Sequence, residues 1–465
     1  MMRTTLILLI GLAIAGCDRP EPVATTEPSP NLQAKPKPAV SIPEATKVPP
    51  AKKKAIEFSK SLSELSQQAN QLEAELKFGE AAKTWQQIDE LVTRKFGEES
   101  WQAANAKLAG IMAARQANFD ESKNEKLQQL QEIQPAILKA FKKGDFANAA
   151  QLNSDATDLI EELFGVQSPI YGKQLLQTAS LNAKAGNSEA AISLYHQAIE
   201  NLSTTFRSKH PDIESAHLQL GKLYRDKKSF GPAISNLKIA TRMGSELWGE
   251  ESVQYANNAN ELGVAYHQAG QLELAFKVLQ ATEAIRRNKL GPGHPLVAHS
   301  HFNLGIVCMD KREYLAANKF FSLTIRELEE HPDSTNRPLL LMAKSKLSTL
   351  HLLTDQPALA EPILGEVVQA SFEQHGDSHP KVAEAQYRHA ISMAKQGKFE
   401  QAEPILLAAY ATQKETLGES HPSTIQSMKA LAVLLKQTRR ETQSQEMIRQ
   451  IKRVSKQNES NDFTR

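Results

Sequence analysis

Cysteine is scarce in this chain: Cys17 and Cys308 are the only two in 465 residues. Two thiols cannot build a disulfide framework, so stability has to come from packing. Net charge is also nearly absent, at +2, which excludes the cationic footprint of a nucleic-acid binder. The apolar run from Leu6 to Ala15 is about half the roughly 20 residues that a membrane-spanning helix needs. The signatures of common active sites are missing too. There is no phosphate-cradling glycine loop ending in Lys-Ser or Lys-Thr, no Gly-x-Ser-x-Gly elbow and no His-Glu-x-x-His. The acidic stretches Phe96-Gly97-Glu98-Glu99-Ser100 and Trp248-Gly249-Glu250-Glu251-Ser252 are placed to start helices, where negative charge and a serine cap are stabilising. Catalytic residues and cofactors are therefore not expected, and the chain is read as no enzyme.

Histidine is plentiful, with thirteen, but its spacing does not suit a metal. His299 and His301 are two apart on an expected helix and face different ways, while His294 precedes that helix. His375 and His379 fall in a linker around Gly376 and Asp377. No metal site is expected.

What the chain does have is a period. Phe78, Phe119, Phe146, Ser188, Phe230, Leu272, Tyr314, Pro357, Phe399 and Glu441 are separated by steps of 41, 27, 42, 42, 42, 42, 43, 42 and 42. A repeat near 42 that persists this far implies stacked copies of one supersecondary unit, because a single copy cannot bury its own apolar face. The expected fold is all-α, a superhelical solenoid of stacked helical hairpins. Leu220-Gly221, Leu262-Gly263 and Leu304-Gly305 align across copies, and Gly221, Gly263, Gly305, Ser348, Ala390 and Ala432 are small enough for close helix approach. Cys308 aligns with Tyr224 and Tyr266 and is read as a small core residue. Gly144, Gly186, Gly270 and Gly397 end first helices, and His210-Pro211, His294-Pro295, His379-Pro380 and His421-Pro422 open the next ones. The 27-residue step predicts one long or kinked helix between Phe119 and Phe146, with Pro135 as its break.

This pattern resembles the tetratricopeptide repeat. Leu290-Gly291-Pro292-Gly293-His294-Pro295 and Leu417-Gly418-Glu419-Ser420-His421-Pro422 are similar to linkers of its kinesin-light-chain type. The resemblance spans about Pro169 to Gln437 and implies a groove, lined by first helices, that binds a partner protein or peptide. Positions six and two before each small residue share a helix face. They give Ser215 and Gln219, Asn257 and Glu261, His299 and Asn303, Met342 and Lys346, Glu384 and Arg388, and Gln426 and Ala430. In the kinesin-light-chain type an asparagine just before the leucine contacts a bound peptide backbone. Asn303 matches that position, whereas Gln219, Glu261, Lys346, Arg388 and Ala430 depart from it. The candidate partner-binding residues are Ser215, Gln219, Asn257, Glu261, His299, Asn303, Lys346, Glu384 and Arg388.

The first residues have the form of a secretory signal, and Ile14-Ala15-Gly16-Cys17 resembles the lipobox of bacterial lipoproteins. That resemblance implies cleavage before Cys17, lipidation of Cys17 and anchoring at a membrane. Asp18 next to it implies retention at the inner membrane, facing the periplasm, over the outer membrane. The expected organisation is a signal peptide at 1–16, a proline-rich disordered tether at 17–54, degenerate helical repeats at 55–168, regular repeats at 169–440, a capping helix at 441–457 and a polar tail at 458–465. The functional expectation is a non-catalytic scaffold or adaptor tethered to the cell envelope. The alternative is a holding factor for partly folded envelope clients, and self-association is a further possibility for an open solenoid.

Overall fold

The computed structural model describes residues 50–206, 209–332 and 334–462. The expected signal peptide, the expected lipidation site Cys17 and the expected tether up to residue 49 lie outside the described residues. Among the described residues there are nineteen α-helices and no strand, and no helix is long and apolar enough to cross a membrane. The first helix begins at Pro50, inside the stretch expected to be a tether. The last one runs from Glu441 to Asp462, longer than the expected cap. The helices gather into two compact units, 1–247 and 248–465, each a stack of antiparallel hairpins.

Three features of the sequence explain why the hairpins form. First, the histidines of the His-Pro pairs are N-caps. Nδ1 of His210, His294, His379 and His421 accepts the backbone N–H of Asp212, Leu296, Lys381 and Ser423 at 3.1, 3.1, 3.2 and 3.2 Å, and the following proline occupies the first turn. Second, the first helix of each hairpin ends in a left-handed residue. Gly144, Gly186, Gly270 and Gly397 have φ of 76, 86, 76 and 78°. At the same position, copies without glycine force Lys228, Arg312, Asp355 and Arg439 to φ of 60, 62, 56 and 61°, so the turn is imposed by the repeat even where the residue resists it. Third, the small residues mark the tightest packing. A Cβ added to Gly221 or Gly263 would lie 2.4 Å from Leu237 Cγ or 2.6 Å from Leu279 Cγ, and one added to Gly305 would lie 2.7 Å from the Phe321 ring. Leu237, Leu279 and Phe321 are fully buried.

Cys308 is fully buried among Phe302, Ala317, Phe321 and Leu350, and burial pushes its thiol up to about 11. The expectation at Pro135 is corrected by the structure. Glu121–Lys142 is one helix that continues through Pro135, and the chain breaks earlier, between Trp101–Gln116 and Glu121. Glu121–Lys142 then pairs directly with Phe146–Phe164, taking the role of a first helix. That substitution shortens one step of the period to 27 residues. The packing of Leu127, Leu130 and Ile137 against Ile160 and Leu163 offsets the hydrogen bond lost at the proline.

Candidate functional site

In the second unit the candidate residues fall on four first helices. Asn257 and Glu261 lie on Val253–Gln268, His299 and Asn303 on Pro295–Asp310, Lys346 on Arg337–Leu353, and Glu384 and Arg388 on Pro380–Ala394. None is fully buried, and Glu384 is exposed. Ser215, exposed, and Gln219, half-buried, belong to Pro211–Asp226 in the first unit.

Two groups of these residues are drawn together by polar bonds. The first is centred on Arg286, a second-helix residue only 3% exposed. Its guanidinium donates to Asn257 Oδ1 at 2.8 Å, Ser300 Oγ at 2.8 Å, the Leu296 carbonyl at 3.2 Å and Asn260 Oδ1 at 3.4 Å. Asn303 Nδ2 donates to the same Asn260 Oδ1 at 3.0 Å and contacts His299 Nδ1 at 3.4 Å. Burial pushes the Arg286 guanidinium down to about 10 against the opposing charge of Glu261. Burial and the nearby Arg286 charge hold His299 below its usual value, so it stays neutral. In the second group Arg388 Nη1 donates to Ser345 Oγ at 3.0 Å and Thr349 Oγ1 at 3.1 Å, while its Nη2 pairs with Glu384.

These bonds divide the candidates by role. Asn303 and Arg388 clasp neighbouring hairpins, and Asn257 anchors Arg286 within its own hairpin while Arg286 reaches Ser300 and Leu296 of the next, so part of the polar stripe holds the stack in register. Lys346, half-buried, makes no hydrogen bond or ion pair among the described residues, which leaves its ammonium available to a ligand. The stripe as a whole offers amides, a neutral imidazole and charges of both signs, a surface suited to hydrogen-bonding a peptide main chain and selecting charged side chains. Sequence reasoning missed Asn260, Arg286, Ser345 and Thr349. Arg286 did carry a signal, because Gly244 and Leu328 hold its position in the adjacent copies; a charge where neighbours are small or apolar marks a buried polar hub.

Among the described residues no three of His, Cys, Asp and Glu come together as metal ligands. His301 is committed elsewhere, buried between Glu283 and Glu327, and His375 and His379 stack ring on ring at 4.4 Å.

The tetratricopeptide repeat family model matches residues 254–326 and 381–457, and the chain carries tetratricopeptide repeats there. Among curated proteins it is similar to a clustered mitochondria protein homolog of Mycosarcoma maydis, 25% identical over 185 residues. That match takes in 40% of this chain and 13% of the relative, so the chain spans about an eighth of the relative's length. Among solved structures, a signal transduction ATPase with numerous domains and a tetratricopeptide repeat sensor, from Pyrococcus horikoshii, superposes with a TM-score of 0.51 at 12% identity. The superposition covers 76% of this chain and 57% of that one. A kinesin light chain assignment from Podosopora anserina, built of nearly identical TPR-like repeats, matches 44% of this chain and 95% of its own at 20% identity and a TM-score of 0.40.

Proposed function

We propose that this stack of tetratricopeptide repeats is a non-catalytic scaffold or adaptor that binds a protein or peptide along the first-helix face of residues 253–394. The reading extends to a lipid anchor at Cys17 and a place in a bacterial cell envelope, facing the periplasm and held at the inner membrane by Asp18. The observation that carries it is the division of labour in the polar stripe. Asn303 and Arg388 are spent on holding hairpins together and Asn257 on anchoring Arg286, while half-buried Lys346 and exposed Glu384 present charges of opposite sign on the same set of helices. A surface rigidified from below and varied in charge above is the arrangement that reads a partner sequence at low ordering cost.

The test is a crosslinking pull-down from native membranes that compares wild type with K346E/E384K. These positions are chosen because neither side chain bridges two hairpins. Loss of one or two dominant partners at unchanged thermal midpoint is the expected result. An unchanged set would move the binding surface elsewhere, and a broad set of weakly held envelope proteins would replace the adaptor by a holding factor. Release of Cys17→Ser protein into the soluble fraction checks the anchor separately.

A further inference from the structure

The register of the candidate stripe continues one repeat upstream of Ser215. Lys173 stands six residues before Ala179, as Ser215 does before Gly221. In the first unit this position is already occupied. Lys173 Nζ donates to Asn105 Oδ1 at 2.8 Å, across 68 residues of chain, and Asn105 lies on the Trp101–Gln116 helix. Trp101 meets the His210 ring edge-on at 6.1 Å, Ala104 and Leu108 pack against the cluster of Leu202, Phe206, Ile213 and Met243, and Arg115 donates to the Phe164 carbonyl at 3.1 Å. Trp101, Asn105, Leu108 and Met112 are spaced four, three and four apart, the seam of a helix laid along other helices. Its opposite face, Ala103, Ala106, Ala109 and Ala113, packs into the cluster of Leu62, Trp85, Ile88 and Val92. The helix is thus carried by the first three-helix element and pressed onto the repeats by its seam.

The fit at the centre of this seam is incomplete. Asn105 is 3% exposed and His210 is 1% exposed, yet among the described residues Asn105 Nδ2 and His210 Nε2 have no hydrogen-bond partner. His210 Nδ1 accepts the Asp212 N–H, so its Nε2 carries the proton, and both orphans are donors. Lys173, with its side chain 10% exposed and Asp212 at 3.6 Å, is a third donor. Two buried donors at the seam, Asn105 Nδ2 and His210 Nε2, thus lack an acceptor while the Asp212 carboxylate is turned to Lys173 Nζ and His210 Nδ1 at 3.6 and 3.5 Å, and each orphan weakens the contact.

We propose that the Lys173 and His210 face is a helix-docking surface held closed in cis by Trp101–Gln116, and that the partner it fits is an amphipathic helix carrying a carboxylate where this one carries Asn105. A carboxylate has no donor to strand, and its bond to Lys173 is charge-assisted. The inference rests on the reading of the first-helix face as a docking surface, applied one repeat upstream.

The test uses full-length protein as wild type, N105D and L108D, with amide hydrogen exchange and binding of a fluorescent peptide of residues 98–119 bearing N105D. In N105D protein, exchange across 101–116 slows about five- to tenfold, the gain from a neutral to a charged bond. The peptide binds L108D protein, binds wild type about tenfold more weakly, and binds N105D protein weakest. Unchanged or faster exchange in N105D, or equal peptide binding to all three, overturns the proposal. If L108D does not fold, wild type against N105D carries the same contrast. Concentration-dependent dimerisation of L108D without peptide binding would assign the surface to a second copy and overturn the choice of a foreign helix. Loss of partners in K346E/E384K with no effect of N105D would leave the scaffold reading standing and remove only this inference.

Discussion

His301 Nδ1 lies 3.0 Å from Glu327 Oε2, and its Nε2 lies 3.3 Å from Glu283 Oε1 on the other side. The imidazole is 5% exposed. Burial by itself would push its pKa down, but the hydrogen bonds and charges of Glu283 and Glu327 outweigh burial and carry it to about 9. The folded value thus stands above the unfolded one of about 6.5. The stabilisation is fully present below about pH 6.5 and is lost as pH rises through about 9, a change on the order of 3 kcal/mol. Denaturant unfolding of wild type should show this fall between pH 6.5 and 9.5. His301→Gln protein should be less stable at pH 6.5 and lack the slope.

Glu73 has the opposite sense. It is 1% exposed, and its Oε1 accepts the Trp85 indole N–H at 2.7 Å. Burial raises its pKa to about 7 against the lowering effect of that bond. A carboxyl with a raised folded pKa binds more protons folded than unfolded, so its contribution declines as pH rises from about 4.5 to about 7 and is flat above. Glu73→Gln keeps an acceptor for Trp85 and removes the charge. It should raise the thermal midpoint at pH 8, by on the order of 3 kcal/mol in stability, and have little effect at pH 4.5.

Lys228 at φ 60° occupies the turn that Gly144 and Gly270 fill elsewhere. Left-handed backbone costs a non-glycine residue roughly 1–2 kcal/mol, partly offset by the greater freedom of glycine in the unfolded chain. Lys228→Gly should stabilise by about 1 kcal/mol in denaturant melts. A loss of stability would show that this turn is held by its side chain.

Gly263 tests the packing. Its added Cβ would lie 2.6 Å from Leu279 Cγ, fully buried in the facing helix. Gly263→Val should cost about 3 kcal/mol by overpacking, and shortening the neighbour with Leu279→Ala should recover part of that loss in the double variant. Additive losses would place the strain elsewhere.

His421 Nδ1 caps its helix at 3.2 Å. His421→Ala should cost about 1 kcal/mol in denaturant melts, while His421→Asp retains most of the stability.

The period, the hairpin and its punctuation were legible in the chain because they are local. Gly270 and Gly397 announce a left-handed turn, and His294-Pro295 announces a helix start. These choices depend on residues within a few positions of one another. Lys228 and Arg312 in the same turn were not legible, since nothing in either residue favours positive φ and the neighbouring helices impose it. Continuity through Pro135 was misread for a related reason: the packing of Leu127, Leu130 and Ile137 against the Phe146–Phe164 helix outweighs a local breaker.

The candidate stripe was legible only as positions. Counting back from the small residues found Asn257, Asn303 and Arg388, because helix periodicity fixes which residues share a face. Whether such a residue faces a ligand or holds its neighbour was decided by the tertiary structure. Arg286 sits between two hairpins and turns Asn257 inward, and Ser345 and Thr349 do the same to Arg388. Likewise Asn105 and Lys173 are 68 residues apart and share no motif. Sequence alone determined that a repeated helical hairpin would form and where it would turn, since those are short-range properties of the chain. Only the tertiary structure decided which polar groups are consumed by the stack and that one helix lies across the first repeats, because both depend on desolvation by distant residues that no local pattern records.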